Sequence, residues 1–444
     1  MERSKPFPFR VLAVDGGGMR GVYSATVIDS FARHFATRRG VSQLDVGKGF
    51  DLIVGTSIGG IIACALAFGL TPTEIIELFR KVGPELFRRP IPQSRLAFLW
   101  WVMRSLRQSA NSDRYLRDVL EDRFGAVTLE EVFRRRKIAL CIPSVNISTG
   151  RSLVFKTPHF ENLTRDRGFR LVDVCLSTSA APIYLPLAAV DDPSDRAHKM
   201  ILADGGLWAN NPVLVGLIEA LSLAARSQPI QILSISACPM PQGAVATDHT
   251  RNWGILKWKA GTGALTMALE SQAWGQHYMA AQLASVLREN GRECHVIRVP
   301  HTSPSLAQAP HVGLDRASSN ALRILGELGR LDGDFDAAAN NWGAPSISAM
   351  VSEMFMDMPS VAAKTRPAAE RRTLERTVRN LQLGAGLILK DQSSSGACFI
   401  INGTAPALGE RFQCASDDGP ILGRVRWIQP LDNGSALFGV EVDR

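Results

Sequence analysis

Short apolar runs, each followed by a stretch with helical spacing, recur through most of the chain. "FRVLAV" enters the glycine-rich turn "DGGGMRG", and "VYSATVIDSFARHFA" then carries its apolar residues at helical intervals. "GFDLIVGTSIGGIIACALAFGL" repeats the plan as strand, tight turn and apolar helix. Further apolar runs lie in "KIALCIPSVNIS", "KMILADGG", "IQILSISAC" and "ECHVIRVP", several of them rich in Ile and Val. Helical segments separate most of these. Strands alternating with helices predict an α/β sandwich around a largely parallel sheet. In such sheets, sites gather at the carboxyl ends of strands.

The pattern changes near residue 336. "AAANNWGAPSISAMVSEMFMDMPSVAAKTRPAAE" has no strand signal and carries Ala, Pro and Ser, which reads as a helical or loose connector over 336–365. Beyond it, "GLILKD", "GACFIIN", "RFQCAS", "ILGRVRWIQ" and "ALFGVEVD" are short strands divided by turn residues such as "DDG" and "DNG". They predict a small all-β unit over 366–444, a barrel or a sandwich. The larger domain then spans 8–335. The chain shows no internal repeat and no low-complexity tract.

Composition narrows the class. The 444 residues are 45% hydrophobic and 21% charged, which suits a folded protein and not a disordered or fibrous one. A net charge of +8 suits an anionic partner such as a membrane surface or a nucleotide, although an Arg-rich solvated surface accounts for it equally. No nucleic-acid polymer, metal or cofactor is expected. No apolar core of signal-peptide length precedes the first strand, and no run is long and apolar enough to span a membrane. The expectation is a cytoplasmic protein with peripheral membrane association. The cysteines (Cys64, Cys141, Cys175, Cys238, Cys294, Cys398 and Cys414) are scattered and form no CxxC pair, which fits reduced, buried thiols.

Three stretches carry chemistry. Gly55-Thr56-Ser57-Ile58-Gly59 is G-x-S-x-G between a buried strand and an apolar helix. That context is a nucleophile elbow, in which a sharp turn exposes the serine hydroxyl. A tight turn with an incidental serine is the plainer reading. The first strand ends in Asp15-Gly16-Gly17-Gly18-Met19-Arg20-Gly21, whose glycines can aim backbone N–H groups at one spot. The same stretch matches G-x-G-x-x-G from Gly16 to Gly21. A dinucleotide site also wants an acid closing the second strand, but Asp45 and Asp51 both precede "LIVG". Asp204-Gly205-Gly206 closes the run "KMILA", putting an acid at a strand's carboxyl end, level with Ser57. "WANNP" follows, where Asn210 or Asn211 can fix the loop by side-chain hydrogen bonds.

Taken in order, D-G-G-G-x-R-G, G-x-S-x-G and D-G-G resemble the patatin-like phospholipase family, over about residues 8–335. The resemblance implies a three-layer sandwich with a mostly parallel central sheet. It implies a Ser–Asp dyad without histidine, Ser57 as nucleophile and Asp204 as base. The glycine loop (Gly16, Gly17, Gly18) would form the oxyanion hole together with the Ile58 N–H, and Arg20 would steady that loop or the substrate phosphate. Asp15, Gly21, Gly55, Gly59, Gly205 and Gly206 complete the motifs. The implied reaction is hydrolysis of an acyl ester in glycerophospholipid, with water accepting the acyl group. An aspartate serves as a base only if burial or hydrogen bonding raises its pKa. Two other readings stay open: a Ser57–Asp204–His301 triad, and a signalling adaptor with an inactive lipase fold.

"FRRPIPQSRLAFLWWVMRSLRQ", Phe87 to Gln108, mixes arginines with Phe98, Leu99, Trp100, Trp101 and Met103. It suits either a segment lying among lipid headgroups or a core-packed helix with a basic outer edge. "FRRRK" at 133–137 reads as a solvated turn before a strand. In the small unit, Arg372-x-x-x-Arg376 precedes Asp391-x-Ser393-x-x-Gly396, an order that resembles the PilZ domain, a β-barrel that binds cyclic di-GMP in bacteria. Two arginines one helical turn apart can stack on guanine and fork onto phosphates. The spacing between the two stretches is shorter than that family's, and a plain interaction barrel is the alternative. A ligand there would act by favouring one arrangement of barrel against lipase.

Overall fold

A computed structural model describes residues 7–92, 94–193, 195–240, 251–255, 257–258, 261–299, 303–338, 347–361, 381–382, 387–393, 396–402, 410–414, 421–430 and 435–442. The chain forms two compact units, Met1–Val361 and Ala362–Arg444.

The first unit opens with β1 (Phe9–Val14), α1 (Gly21–Arg38), β2 (Leu52–Gly55) and α2 (Ile58–Phe68). Four helices follow: α3 (Pro72–Leu86), α4 (Arg95–Ser105), α5 (Arg114–Phe124) and α6 (Leu129–Arg136). Then come β3 (Ala139–Asn146), β4 (Arg151–Lys156), α7 (Leu171–Thr178), β5 (Ala188–Asp192), β6 (Asp195–Asp204), α8 (Gly206–Ala209) and α9 (Val213–Leu223). The unit closes with β7 (Ile230–Ile235), α10 (Thr262–Glu289), β8 (Cys294–Val299), α11 (Ser319–Ala338) and α12 (Ile347–Met356).

Strand alternation builds two cores, one on each face of the sheet. Leu12 and Val14 of β1 join Ile53, Leu140, Ile142, Leu233 and Ile235 under α1, α2, α7 and α11. Val11 and Ala13 join Leu52, Val54, Cys141, Ile230 and Ile232 under α9 and α10. The buried runs of the sequence are therefore the middle layer of a three-layer sandwich.

Pairing is parallel through β3, β2, β1, β7 and β8. The other edge is antiparallel: β4 and β6 both pair with β3, and β5 pairs with β6. One detail of register positions the site. Cys141 of β3 is opposite Val54 on one edge and Lys156 on the other. Asn146, Val145 and Ser144 face β4 on that second edge and face Leu202, Ala203 and Asp204 on the first. So β2 and β6 lie on the same edge of β3 and run toward each other. Their carboxyl ends, Gly55 and Asp204, meet nearly tip to tip.

Two sequence expectations need correction here. The stretch read as a connector carries α12, and Met350, Val351, Met354, Phe355 and Met358 are in the first core. Phe355 meets Phe31 edge-on at 5.4 Å and stacks on Phe35 at 5.8 Å, while Arg10 donates to Asp357. A helix was one of the two forms expected there, but the Ala- and Pro-rich flanks hid that it belongs to the core. The "FRRRK" stretch is the last turn of α6, ended by Lys137 in the left-handed conformation (φ 58°). A reciprocal Thr128–Glu131 cap starts that helix, and Arg136 forks onto Asp45 at 2.6 and 2.8 Å.

The second unit has β9 (Leu381–Gln382), β10 (Leu387–Ser393), β11 (Gly396–Asn402), β12 (Arg411–Cys414), β13 (Ile421–Pro430) and β14 (Ser435–Val442). They form one antiparallel sheet in the order β12-β13-β14-β11-β10-β9. Each strand run read from the sequence is present. Among the described residues no pairing between β9 and β12 closes this sheet into a barrel.

Candidate active site

Ser57 is at the turn between β2 and α2 with φ 55° and ψ −126°, a strained region for a residue with a Cβ. Three contacts over-determine that conformation. The Ser57 N–H donates to Thr178 Oγ1 at 3.0 Å, and Thr178 in turn donates to the Pro143 carbonyl at 2.6 Å. Thr56 Oγ1 donates to the Ala209 carbonyl at 2.6 Å. The elbow also passes close to the end of β1: a Cβ on Gly59 would lie 2.4 Å from the Val14 oxygen and 2.5 Å from that of Asp15. Only glycine fits there.

The strained turn points Ser57 Oγ at Asp204, and the hydroxyl donates to Oδ2 at 2.7 Å. Both residues are buried. Asp204 Oδ1 accepts the Gly206 N–H at 2.7 Å. Burial pushes the Asp204 carboxyl up from 3.8 to about 6, and the hydrogen bonds from Ser57 and Gly206 pull it partly back. The carboxylate is thus ionised near neutral pH yet more basic than an exposed aspartate. No histidine stands between hydroxyl and carboxylate among the described residues, and His301 lies outside them.

The glycine loop approaches the same point. Gly18 has φ 53°, and a Cβ on it would fall 2.2 Å from the Leu314 carbonyl oxygen. That oxygen accepts the Met19 N–H at 2.8 Å. Gly16, expected in the donor set, is removed from it: its N–H donates to the Asn210 carbonyl at 2.8 Å. The amides of Gly17 and Gly18 have no acceptor among the described residues, and both residues line one cleft with Ser57, Ile58 and Asp204. Ile58 is the first residue of α2, where a helix leaves its amides unpaired and carries partial positive charge. The remaining wall of the cleft is mostly apolar, with Ile61, Leu86, Leu116, Leu185, Leu265 and Leu269.

Supporting residues hold these loops. Arg298 on β8 donates to both carboxylate oxygens of Asp15 and to Ser234 Oγ. Arg20 is buried in the cleft wall, 3.6 Å from Glu270, with its Nε unpartnered. Gly21 packs against Ile58, and Gly205 against the Pro143 carbonyl. Asn210 and Asn211 tie the loop after β6 to α10 through Leu269 and Ala273. The sequence did not single out Thr178, Arg298 or Leu314. For Arg298 a signal existed, a lone arginine in the apolar strand "HVIRV". For Thr178 and Leu314 none did.

The dinucleotide reading fails on its acids. The Asp51 carboxylate accepts the Arg10 N–H at 2.8 Å at the amino end of β2, and Asp45 holds Arg136. In the second unit, Asp391 and Ser393 are on β10 and Gly396 opens β11, with Ser393 paired to Gly396. Arg372 and Arg376 lie outside the described residues.

A hydroxyl hydrogen-bonded to a buried carboxylate, beside unpaired amides and an apolar cleft, is the arrangement that serine-dependent acyl transfer calls for. The patatin-like phospholipase family model matches residues 12–217. The chain is 32% identical over 334 residues to a cGAMP-activated phospholipase of Vibrio cholerae, a match covering 72% of this chain and 89% of that protein. It is 35% identical over 280 residues to a cGAMP-activated phospholipase of Pseudomonas aeruginosa, covering 61% of this chain and 77% of that one. Patatin-like protein 3 of Arabidopsis thaliana is 26% identical over 309 residues, covering 62% and 70%. The chain belongs to the patatin-like phospholipase family, and it is a lipid acyl hydrolase.

Proposed function

We propose that the protein cleaves acyl esters of glycerophospholipids at a membrane surface, from the cytoplasmic side, through a Ser57–Asp204 dyad. Asp204 takes the Ser57 proton as Oγ attacks the ester carbonyl. The Gly17, Gly18 and Ile58 amides receive the charge that develops on the carbonyl oxygen. As the intermediate collapses, Asp204 returns the proton to the departing lysolipid alcohol. Water then attacks the acyl-serine, gives a proton to Asp204, and the fatty acid leaves as Ser57 recovers its own. The apolar cleft takes the acyl chain, and Arg20 faces the phosphate. The observation that carries this reading is the 2.7 Å hydrogen bond from Ser57 Oγ to Asp204 Oδ2. The test is release of fatty acid from phospholipid vesicles by the wild type and by Ser57→Ala. Loss of at least about 10⁴-fold is expected, and equal rates would leave a non-catalytic adaptor.

Regulation by a cyclic dinucleotide is the second part of the proposal. Two observations favour it: relatives named cGAMP-activated phospholipases, and an appended β-unit whose sequence resembles PilZ. Binding of labelled cGAMP and cyclic di-GMP to the full chain tests it, with an Arg372→Ala/Arg376→Ala variant alongside. Saturable binding lost in that variant assigns the sensor to the second unit. Binding retained assigns it to the lipase unit, and no binding of either nucleotide removes the sensor.

A further inference from the structure

Helix α4 is apolar on both faces but covered on only one. Phe98, Trp101, Val102 and Ser105, spaced as one helical stripe, face inward and are half-buried or buried. Trp101 is 8% exposed, donates its indole N–H to the Arg89 carbonyl at 3.2 Å, and stacks on Phe98. The opposite stripe is Leu96, Leu99, Trp100 and Met103, continued by Leu106 past the helix end. Their exposures are 82, 49, 66, 69 and 67%. A soluble helix normally turns polar residues outward, and one apolar all round is normally enclosed. Here five large side chains on neighbouring turns meet water. Patches of that kind mark interaction surfaces.

The charge around the stripe selects the partner. Arg89 and Arg104 line one surface hollow with Trp100, Arg107 is exposed just past the helix, and no acidic residue occurs from Arg89 to Gln108; Arg88, one residue before, is paired with Glu85. The Arg104 guanidinium lies over the Trp100 ring, 5.5 Å from its centre. Bulky apolar tips ringed by arginines, with an indole among them, match the boundary between lipid headgroups and acyl chains. An anionic surface answers both the arginines and the apolar tips, whereas a second copy of this net-basic chain would set arginines against like charge. Position fits as well. Phe98 on the inner side of α4 shares a cleft with Arg20, Tyr184 and Leu314, and these three also line the cleft that holds Ser57.

The geometry points to α4 as the element that seats the enzyme on an anionic lipid bilayer, lying in the headgroup plane beside the mouth of the catalytic cleft. This rests on the lipid acyl hydrolase reading and names the surface through which the substrate arrives. The test uses the full chain, sedimented with vesicles of phosphatidylglycerol mixed into phosphatidylcholine and with vesicles of phosphatidylcholine alone. The wild type should bind the anionic vesicles more tightly, with Trp emission shifted to the blue. Leu96→Asp/Trp100→Asp, and separately Arg104→Ala/Arg107→Ala, should each weaken vesicle binding about tenfold or more. Hydrolysis of a soluble butyrate ester should stay within about twofold of wild type in both, because none of the four residues lines the cleft around Ser57. Unchanged vesicle binding in the Leu96/Trp100 variant overturns the proposal. So does a variant that changes only the oligomeric state by light scattering, since α4 would then cover a second copy of the chain. If the wild type binds vesicles but hydrolyses no ester, the catalytic reading fails while the docking surface stands.

Discussion

The two arms of the site are held in opposite ways. The Ser57 arm stores backbone strain: its φ of 55° persists because Thr178, Ala209 and the end of β1 leave no alternative. The Asp204 arm stores electrostatic cost: a carboxylate ends a strand in a buried place where ionisation is disfavoured. One arm comes from the parallel half of the sheet and the other from the antiparallel edge. They meet because β3 is long enough to pair with β2 and then with β6 along the same edge. With Ser57 as the proposed nucleophile and Asp204 as the proposed base, the two arms are separate devices, so different substitutions should disable them separately.

Asp204→Asn separates them most sharply. Without a base the hydrolysis rate should fall by roughly 10³- to 10⁴-fold, while Ser57 keeps its turn. Stability should move the other way. A carboxyl whose folded pKa of about 6 exceeds its ordinary 3.8 favours the fold below 3.8, and that contribution is lost as pH rises through 6. At pH 8 the charged Asp204 therefore costs the fold up to about 3 kcal/mol. The Asn variant should melt higher than wild type at pH 8, and the gap should close toward pH 4. Thermal unfolding at the two pH values checks this, and a lower melting temperature at pH 8 would show that the charge is stabilised there.

Gly18→Ala attacks the donors without touching either arm. A Cβ at 2.2 Å from the Leu314 oxygen, on a residue with positive φ, must displace the loop. Loss of about 10²- to 10³-fold in kcat with little change in KM is expected. A change confined to KM would mean that the loop binds substrate and not the oxyanion. Thr178→Val should have the smallest effect. It removes the acceptor for the Ser57 N–H, so chemical denaturation should report a loss of about 1–3 kcal/mol. Activity measured well below the melting temperature should drop less than for Gly18→Ala. If Thr178→Val proved as inactive as Asp204→Asn, the elbow would not be rigid independently of its support.

Much of this was legible in the residues. The alternation of Val11 and Ala13 with Leu12 and Val14 specifies a strand buried on both faces, and G-x-S-x-G between strand and helix specifies the elbow. What escaped was long-range. Nothing local says that β6 runs antiparallel to β3, and that reversal is what brings Asp204 to Ser57. Gly16 looked equivalent to its neighbours until the Asn210 carbonyl claimed its amide. That the helix around Met354 and Phe355 packs into the core, and is no mere connector, was hidden because its apolar pattern is short and flanked by Pro359 and Pro345. In the second unit the strands were readable from alternation and turns.

The central claim is that Ser57 is activated directly by Asp204. Its most direct measurement is covalent labelling by a fluorophosphonate, followed by peptide mass spectrometry across a pH series. The account predicts one adduct, on Ser57, forming faster as pH rises with a midpoint near 6, and nearly abolished in Asp204→Asn. Labelling of Ser57 in Asp204→Asn at the wild-type rate would contradict it.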